Sequence, residues 1–89
     1  MASKNKVIRY YEQEVLNMKY RVARASKIYT DSCESNFRFF MNYGFFSDEG
    51  KHNENMAYLK YADLYCKLLV LEQKLLNVKG VEACQGENL

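Results

Sequence analysis

Few residues in this chain have the chemistry for catalysis or metal binding, and they are widely spaced. There is one histidine, His52, and its nearest acidic neighbours are Asp48 and Glu49. A zinc site needs three or four ligands at compatible spacing, and a calcium loop needs regularly spaced acids, so neither site is predicted. The four glycines are scattered and form no phosphate-binding loop. We therefore expect a non-enzymatic protein with no catalytic residues, no metal and no cofactor.

The three cysteines, Cys33, Cys66 and Cys84, are far apart, and none belongs to a Cys-x-x-Cys motif. An odd number at wide spacing is typical of free thiols in a reducing compartment. The first residues lead directly into a charged amphipathic segment, so no signal peptide is predicted. No apolar run reaches the roughly 20 residues that cross a bilayer. We therefore expect a cytoplasmic protein that does not contact membranes.

Two apolar stripes, one in each half of the chain, predict the elements that carry these residues. Their members are separated by alternating steps of three and four residues, which places each stripe along one side of an α-helix. The first stripe is Ile8, Tyr11, Val15, Met18, Val22, Ala25 and Tyr29; the second is Ala57, Tyr61, Leu64, Leu68, Leu71, Leu75 and Val78. The sequence thus predicts an all-α fold in which two long amphipathic helices form an antiparallel pair.

The expected single domain covers residues 1–80, with helices at about 5–29, 32–43 and 54–79 and a flexible tail over 81–89. After the first stripe the apolar positions shift to Cys33, Phe37 and Phe40. This shift predicts a break near residue 30 and a short aromatic-rich helix between the two long ones. A four-residue step can also be absorbed within one helix, so a continuous helix over residues 5–43 is the alternative.

Glycines and polar residues mark the expected helix ends. Gly44 suits a left-handed position after a helix, and Gly80 is expected to end the last one. The segment 45–53 is expected to be a loop, with Asn53 as the cap of the third helix.

The third predicted helix is apolar over more than one side. A second apolar line accompanies its main stripe and contains Tyr58, Ala62, Tyr65, Leu69 and Leu76. The two lines together cover roughly 200° of the helix, about twice what one neighbouring helix would bury. A chain of 89 residues also buries a small share of its surface. We therefore expect a dimeric helical bundle, most simply a homodimer with coiled-coil-like packing.

The first predicted helix has a cationic face opposite its apolar stripe. Residues 1–43 contain eight of the cations and four of the acids, whereas residues 44–89 contain five cations and seven acids. The basic face consists of Lys6, Arg9, Tyr20, Arg21, Arg24 and Lys27. Such a face can contact an acidic protein surface or a phosphate backbone, or it can simply be solvated.

Aromatic residues are concentrated where the two halves of the chain meet. Six of them lie between residues 37 and 46. One helix face cannot bury them all, so some close the end of the bundle and others are available to a partner. Aromatic residues and arginine dominate the energetics of protein interfaces. The predicted partner-binding residues are Arg38, Phe39, Tyr43, Phe45 and Phe46.

These features predict a protein–protein interaction module that regulates, inhibits or scaffolds a larger protein partner. Small helical proteins without catalytic groups are common among the accessory proteins of phages and mobile elements. The alternative hypothesis is a small dimeric nucleic-acid-binding protein that uses the basic face. A third hypothesis is an assembly subunit whose seam recruits further copies of the chain.

Overall fold

The chain folds into two long helices joined by a tight turn. The structure is a computed structural model that describes the backbone of residues 2–87 and the side chains of residues 5–80. Helix α1 (Ala2–Tyr43) and helix α2 (Asp48–Glu87) pack against each other as an antiparallel hairpin. The hairpin is an elongated plate with extents of 62 × 27 × 14 Å. The prediction of an all-α fold built from two packed helices is confirmed.

Both predicted stripes form the seam between the helices. Each of their residues is buried or half-buried. Among the described side chains, however, only Val15, Ala25 and Leu68 are less than about a tenth exposed, at 7%, 4% and 7%. Complete burial of an apolar side chain contributes about 1.5–3 kcal/mol, and a half-buried one contributes less. A single pair of helices therefore gives this chain only a thin core.

The predicted break near residue 30 is wrong, and with it the short aromatic helix over 32–43. Helix α1 is continuous to Tyr43. The Thr30 hydroxyl donates a hydrogen bond of 2.9 Å to the Ser26 carbonyl, one turn back in the same helix, instead of capping a new one. No proline occurs in the chain, so no residue forces the helix to kink here.

The predicted shift of the apolar stripe is correct only for Cys33, which is half-buried at the seam. The rhythm of three and four residues continues from Tyr29 through Ser32, Asn36 and Phe39, all of which are half-buried at the seam. Phe37, by contrast, is exposed. Because Ser32 and Asn36 are polar, a hydrophobicity pattern does not detect the stripe beyond Tyr29. The spacing of three and four residues nevertheless continues along the same side of the helix.

The turn between the helices is shorter than expected. Gly44 has a φ of +79°, and its N–H donates to the Phe40 carbonyl at 2.7 Å, which confirms the predicted end of the helix. Helix α2 begins at Asp48, so the loop predicted over 45–53 and the cap predicted at Asn53 are wrong. Ser47 is the cap, since its Oγ accepts a hydrogen bond of 2.9 Å from the Gly50 N–H.

Helix α2 continues past Gly80 to Glu87, so its predicted end at residue 79 is wrong. The expected flexibility of the tail concerns residues 81–89, whose side chains lie outside the described residues, as do Asn88 and Leu89 entirely. Over residues 2–87, neither helix contains a stretch long and apolar enough to cross a lipid bilayer.

Candidate functional site

The turn of the hairpin presents a compact group of aromatic side chains, here called the aromatic end. Its members are Phe39, Phe40, Tyr43, Phe45 and Phe46. The ring of Phe39 packs against Tyr43 and Phe45, with centroid distances of 4.5 and 5.5 Å. The ring of Phe40 stacks on Phe46 at 4.8 Å and an interplanar angle of 19°. The turn therefore holds the rings in two groups, one stacked pair and one cluster of tilted and edge-to-face rings around Phe39.

The aromatic end remains largely accessible to solvent although its rings contact one another. Tyr43 is 64% exposed, Phe45 59% and Phe46 44%. Phe39 is half-buried and links the group to the seam. Arg38 lies beside them on the surface, 3.8 Å from the Glu34 carboxylate. Exposed pairs of this kind contribute little to stability. The structure thus brings all five of the predicted partner-binding residues to one end of the molecule.

A polar contact that the sequence analysis missed holds this end together. The Asn36 amide donates to the Gly50 carbonyl at 2.9 Å and to the Glu54 carboxylate at 3.2 Å. Gly50 approaches α1 so closely that a Cβ atom there would overlap the Asn36 side chain. The spacing of three and four residues in the first stripe, continued past Tyr29, was the signal that could have identified Asn36 as a seam residue.

One turn deeper in the seam, Tyr29 and Cys33 of α1 meet Glu54 of α2. The pKa of the Cys33 thiol is raised above its ordinary value, first by burial and then by its hydrogen bond with Glu54, while the bond with Tyr29 opposes this shift. The pKa of Tyr29 is raised mainly by the hydrogen bond with Cys33. A thiol that holds its proton is a weak nucleophile, so this arrangement is suited to packing and not to covalent chemistry.

Tyrosines also pack across the seam at this level. The Tyr29 ring lies 5.5 Å from that of Tyr58 and 6.3 Å from that of Tyr61, and Tyr61 in turn lies 6.1 Å from Tyr65. The three tyrosines of α2 therefore form one row of rings with Tyr29 of the first helix.

The residues of the predicted basic face are all exposed, and they line different grooves of the hairpin. Arg21 and Arg24 line a groove between the helices together with Lys60 of α2. Arg9 lines a different groove, near Leu75. The remaining members are Lys6, Tyr20 and Lys27, which line none of these grooves.

The two broad sides of the hairpin differ in chemistry. On one side, Lys79 Nζ lies 3.3 Å from the Glu12 carboxylate. Residues at intervals of seven from Glu12 in α1, and from Lys79 in α2, form rows that lie on the same side of the seam as this pair. This follows because the residues of the seam itself repeat every seven positions. These rows and their outer neighbours carry exposed apolar side chains, here called the apolar flank: Leu16, Phe37, Phe40, Tyr58, Tyr65, Leu69 and Leu76. The opposite side carries the lysine row Lys60, Lys67 and Lys74, together with the exposed apolar residues Ile28 and Val70.

Helix α2 contacts a single neighbouring helix in this chain, and most of its second apolar line is consequently exposed. The chain has an accessible surface of 7196 Å². A compact protein of 10.5 kDa would expose about 5,400 Å². Its radius of gyration is 19.5 Å, against about 12 Å for a compact chain of this length. The hairpin therefore exposes much more surface than a compact protein of the same mass.

His52 is exposed at the start of α2, as are Asp48 and Glu49. Within the described part of the chain, no group of three or more His, Cys, Asp or Glu side chains could hold a metal ion. Comparisons with protein-family models, curated proteins and solved structures found no match to this chain.

Proposed function

We propose that this protein is a non-enzymatic interaction module that regulates, inhibits or scaffolds a larger protein partner, and that it acts as a homodimer. The observation that carries the proposal is the exposed aromatic end. Large aromatic side chains supply the strongest contacts of many protein interfaces. Here Tyr43, Phe45 and Phe46 are presented together, more than two-fifths exposed in each case.

The order of the aromatic end supports a binding role. Each immobilised side chain in an interface loses conformational freedom, and this loss opposes binding. The stacking of Phe40 on Phe46 and the edge-to-face contact of Phe45 with Phe39 restrict these rings before a partner arrives. The hydrogen bond from the Asn36 amide to the Gly50 carbonyl, here called the Asn36 clamp, similarly restricts the turn that carries these rings. A partner therefore meets a surface that is already arranged.

The uncovered area supports the homodimer. The chain exposes about 1,800 Å² more than a compact protein of its mass. A stable interface of standard size buries about 800 Å² on each partner. Two hairpins that pair through their apolar flanks would form a four-helix bundle, and α2 would gain the second neighbour that its apolar width requires.

The test uses the full chain as bait in extracts of the native host, with Phe45→Ala/Phe46→Ala as the variant. We expect a partner that is captured by the native sequence and lost by the variant. The control is Met56→Ala/Val70→Ala, which removes exposed apolar side chains from elsewhere on the hairpin. Equal capture by all three proteins would contradict the proposal. Circular dichroism checks that both variants remain helical.

The runner-up is a nucleic-acid-binding protein that uses the basic face of α1. It is favoured by the exposure of Lys6, Arg9, Arg24 and Lys27, none of which takes part in an ion pair among the described residues. A titration with duplex DNA and RNA separates the two functions. Binding at about 50 mM salt that weakens steeply toward 200 mM would support the runner-up.

A further inference from the structure

A groove between α1 and α2, here called the cationic groove, combines charged walls with an apolar floor. Its volume is about 500 Å³, within the range of ligand-binding clefts. It is lined by Arg21, Arg24, Ala25, Ile28, Lys60 and Leu64. Both helices contribute cations, so the site exists only where the hairpin is folded.

The positive charge of the groove is not neutralised within the described part of the chain. No ion pair among residues 5–80 includes Arg21, Arg24 or Lys60. Apart from the two arginines themselves and Lys27, the residues one helical turn from Arg21 or Arg24 are uncharged. The acid closest to Lys60 in sequence is Asp63, whose carboxylate already lies 3.0 Å from Lys67. Like charges one turn apart destabilise a helix, so an anionic occupant would relieve this repulsion.

The floor of the groove indicates what kind of anion fits. Ala25 is buried, Leu64 is half-buried, and Ile28 is about half exposed. An apolar side chain can therefore be seated between the cations. Arginine binds carboxylates through two parallel hydrogen bonds. Acidic side chains on both sides of that apolar side chain would therefore suit the cations of the groove. The charged phosphates of a nucleic acid would gain nothing from the apolar floor.

We infer that the cationic groove binds an acidic amphipathic segment of a partner protein, in which carboxylates flank a large apolar side chain. This inference rests on the proposed function, since it specifies the chemistry of a partner for the same module. The groove lies on the side of the seam opposite the apolar flank, so it stays open when two hairpins pair through that flank.

The test is a selection of random peptides displayed on phage against the full chain. We expect enrichment of peptides in which Asp or Glu stands three or four positions on either side of Leu, Ile or Phe. Titration of a selected peptide, followed by fluorescence anisotropy, then compares variants. Arg24→Glu/Lys60→Glu should raise Kd by more than about tenfold, because two attractive charges become repulsive.

The matched control is Lys6→Glu/Arg9→Glu, which makes the same change in net charge on the basic face. Arg9 is 12 residues from Arg21 along the same helix, or about 18 Å, which is beyond the screening distance at physiological salt. We expect this control to change Kd by less than about twofold. Equal weakening by both double variants would overturn the inference, because the peptide would then recognise net charge alone.

Three further outcomes separate this inference from the proposed function. Peptides that lose affinity in Phe45→Ala/Phe46→Ala but not in Arg24→Glu/Lys60→Glu would overturn the groove and still support the aromatic end. Selection of no acidic peptide, with duplex DNA or RNA bound through the groove cations instead, would overturn the inference in favour of nucleic acid. A peptide that depends on the groove and not on the aromatic end supports the inference even if no host protein is captured.

Discussion

Asn36 and Gly50 are the pair on which the geometry of the turn depends most. The Asn36 amide satisfies the Gly50 carbonyl from across the seam, and Gly50 also donates its N–H to the Ser47 cap. A Cβ atom on residue 50 would meet both side chains, with Ser47 Oγ at 2.8 Å. Glycine leaves room here for the Asn36 and Ser47 side chains, and its φ is not positive.

We predict that Gly50→Ala destabilises the hairpin by about 1–3 kcal/mol, because the added methyl group must displace either the Asn36 clamp or the Ser47 cap. Urea unfolding followed by circular dichroism measures the change. In an Asn36→Ala background the same substitution should be less harmful, since the overlapping side chain is gone. A neutral or stabilising Gly50→Ala, as expected at an ordinary helical glycine, would contradict the clamp.

At the scale of the helices, stability depends on a seam with few well-buried residues. Leu68 is 7% exposed and is the best-buried described side chain of α2. A charge at this position cannot reach water without separating the helices. Leu59, only nine residues away, lies on the outer side of α2 and is 52% exposed. The two leucines therefore make a matched pair for the same substitution.

We predict that Leu68→Asp abolishes the cooperative unfolding transition or lowers the unfolding free energy by more than about 3 kcal/mol. Leu59→Asp should change it by less than about 0.5 kcal/mol, as is usual for surface positions. Thermal unfolding monitored by circular dichroism compares the two. Similar losses in both variants would show that α2 does not face α1 through the second stripe.

At the scale of the whole molecule, the two sides of the plate have different consequences. The apolar flank offers area for a second copy, and the opposite side offers the cationic groove. Leu69 lies in the middle of the flank on α2 and is 49% exposed in the hairpin. If the proposed homodimer is correct, this leucine is covered by the partner copy.

We predict that the native chain sediments as a dimer and that Leu69→Asp shifts it toward the monomer mass of 10.5 kDa. The expected weakening of association is at least about tenfold, because a charge would be buried in the interface. Sedimentation across a concentration series measures it, with Leu59→Asp as the control. A native chain that stays monomeric at all concentrations would refute the homodimer, and growth beyond a dimer would favour a self-assembling subunit.

The spacing of apolar residues predicted two long helices and the side that each turns inward, and Gly44 predicted the helix end before the turn, but the first helix was wrongly divided near residue 30. These are local properties, since a period of three and four residues and a glycine after a helix act over one or two turns. The continuity of α1 through Ser32 and Asn36 was not predictable from hydrophobicity, because polar residues at a seam are recognised only once their partners are known.

The candidate site shows the same division. The sequence offered candidate aromatic residues and cations, but only the packed hairpin shows that Arg21 and Arg24 share a groove with Lys60. It also places the apolar flank and the lysine row on opposite sides of the seam. Such pairings join residues that are distant in the chain, so they depend on the register between the two helices. Tertiary contacts such as Asn36 with Gly50 and Glu12 with Lys79 determine that register.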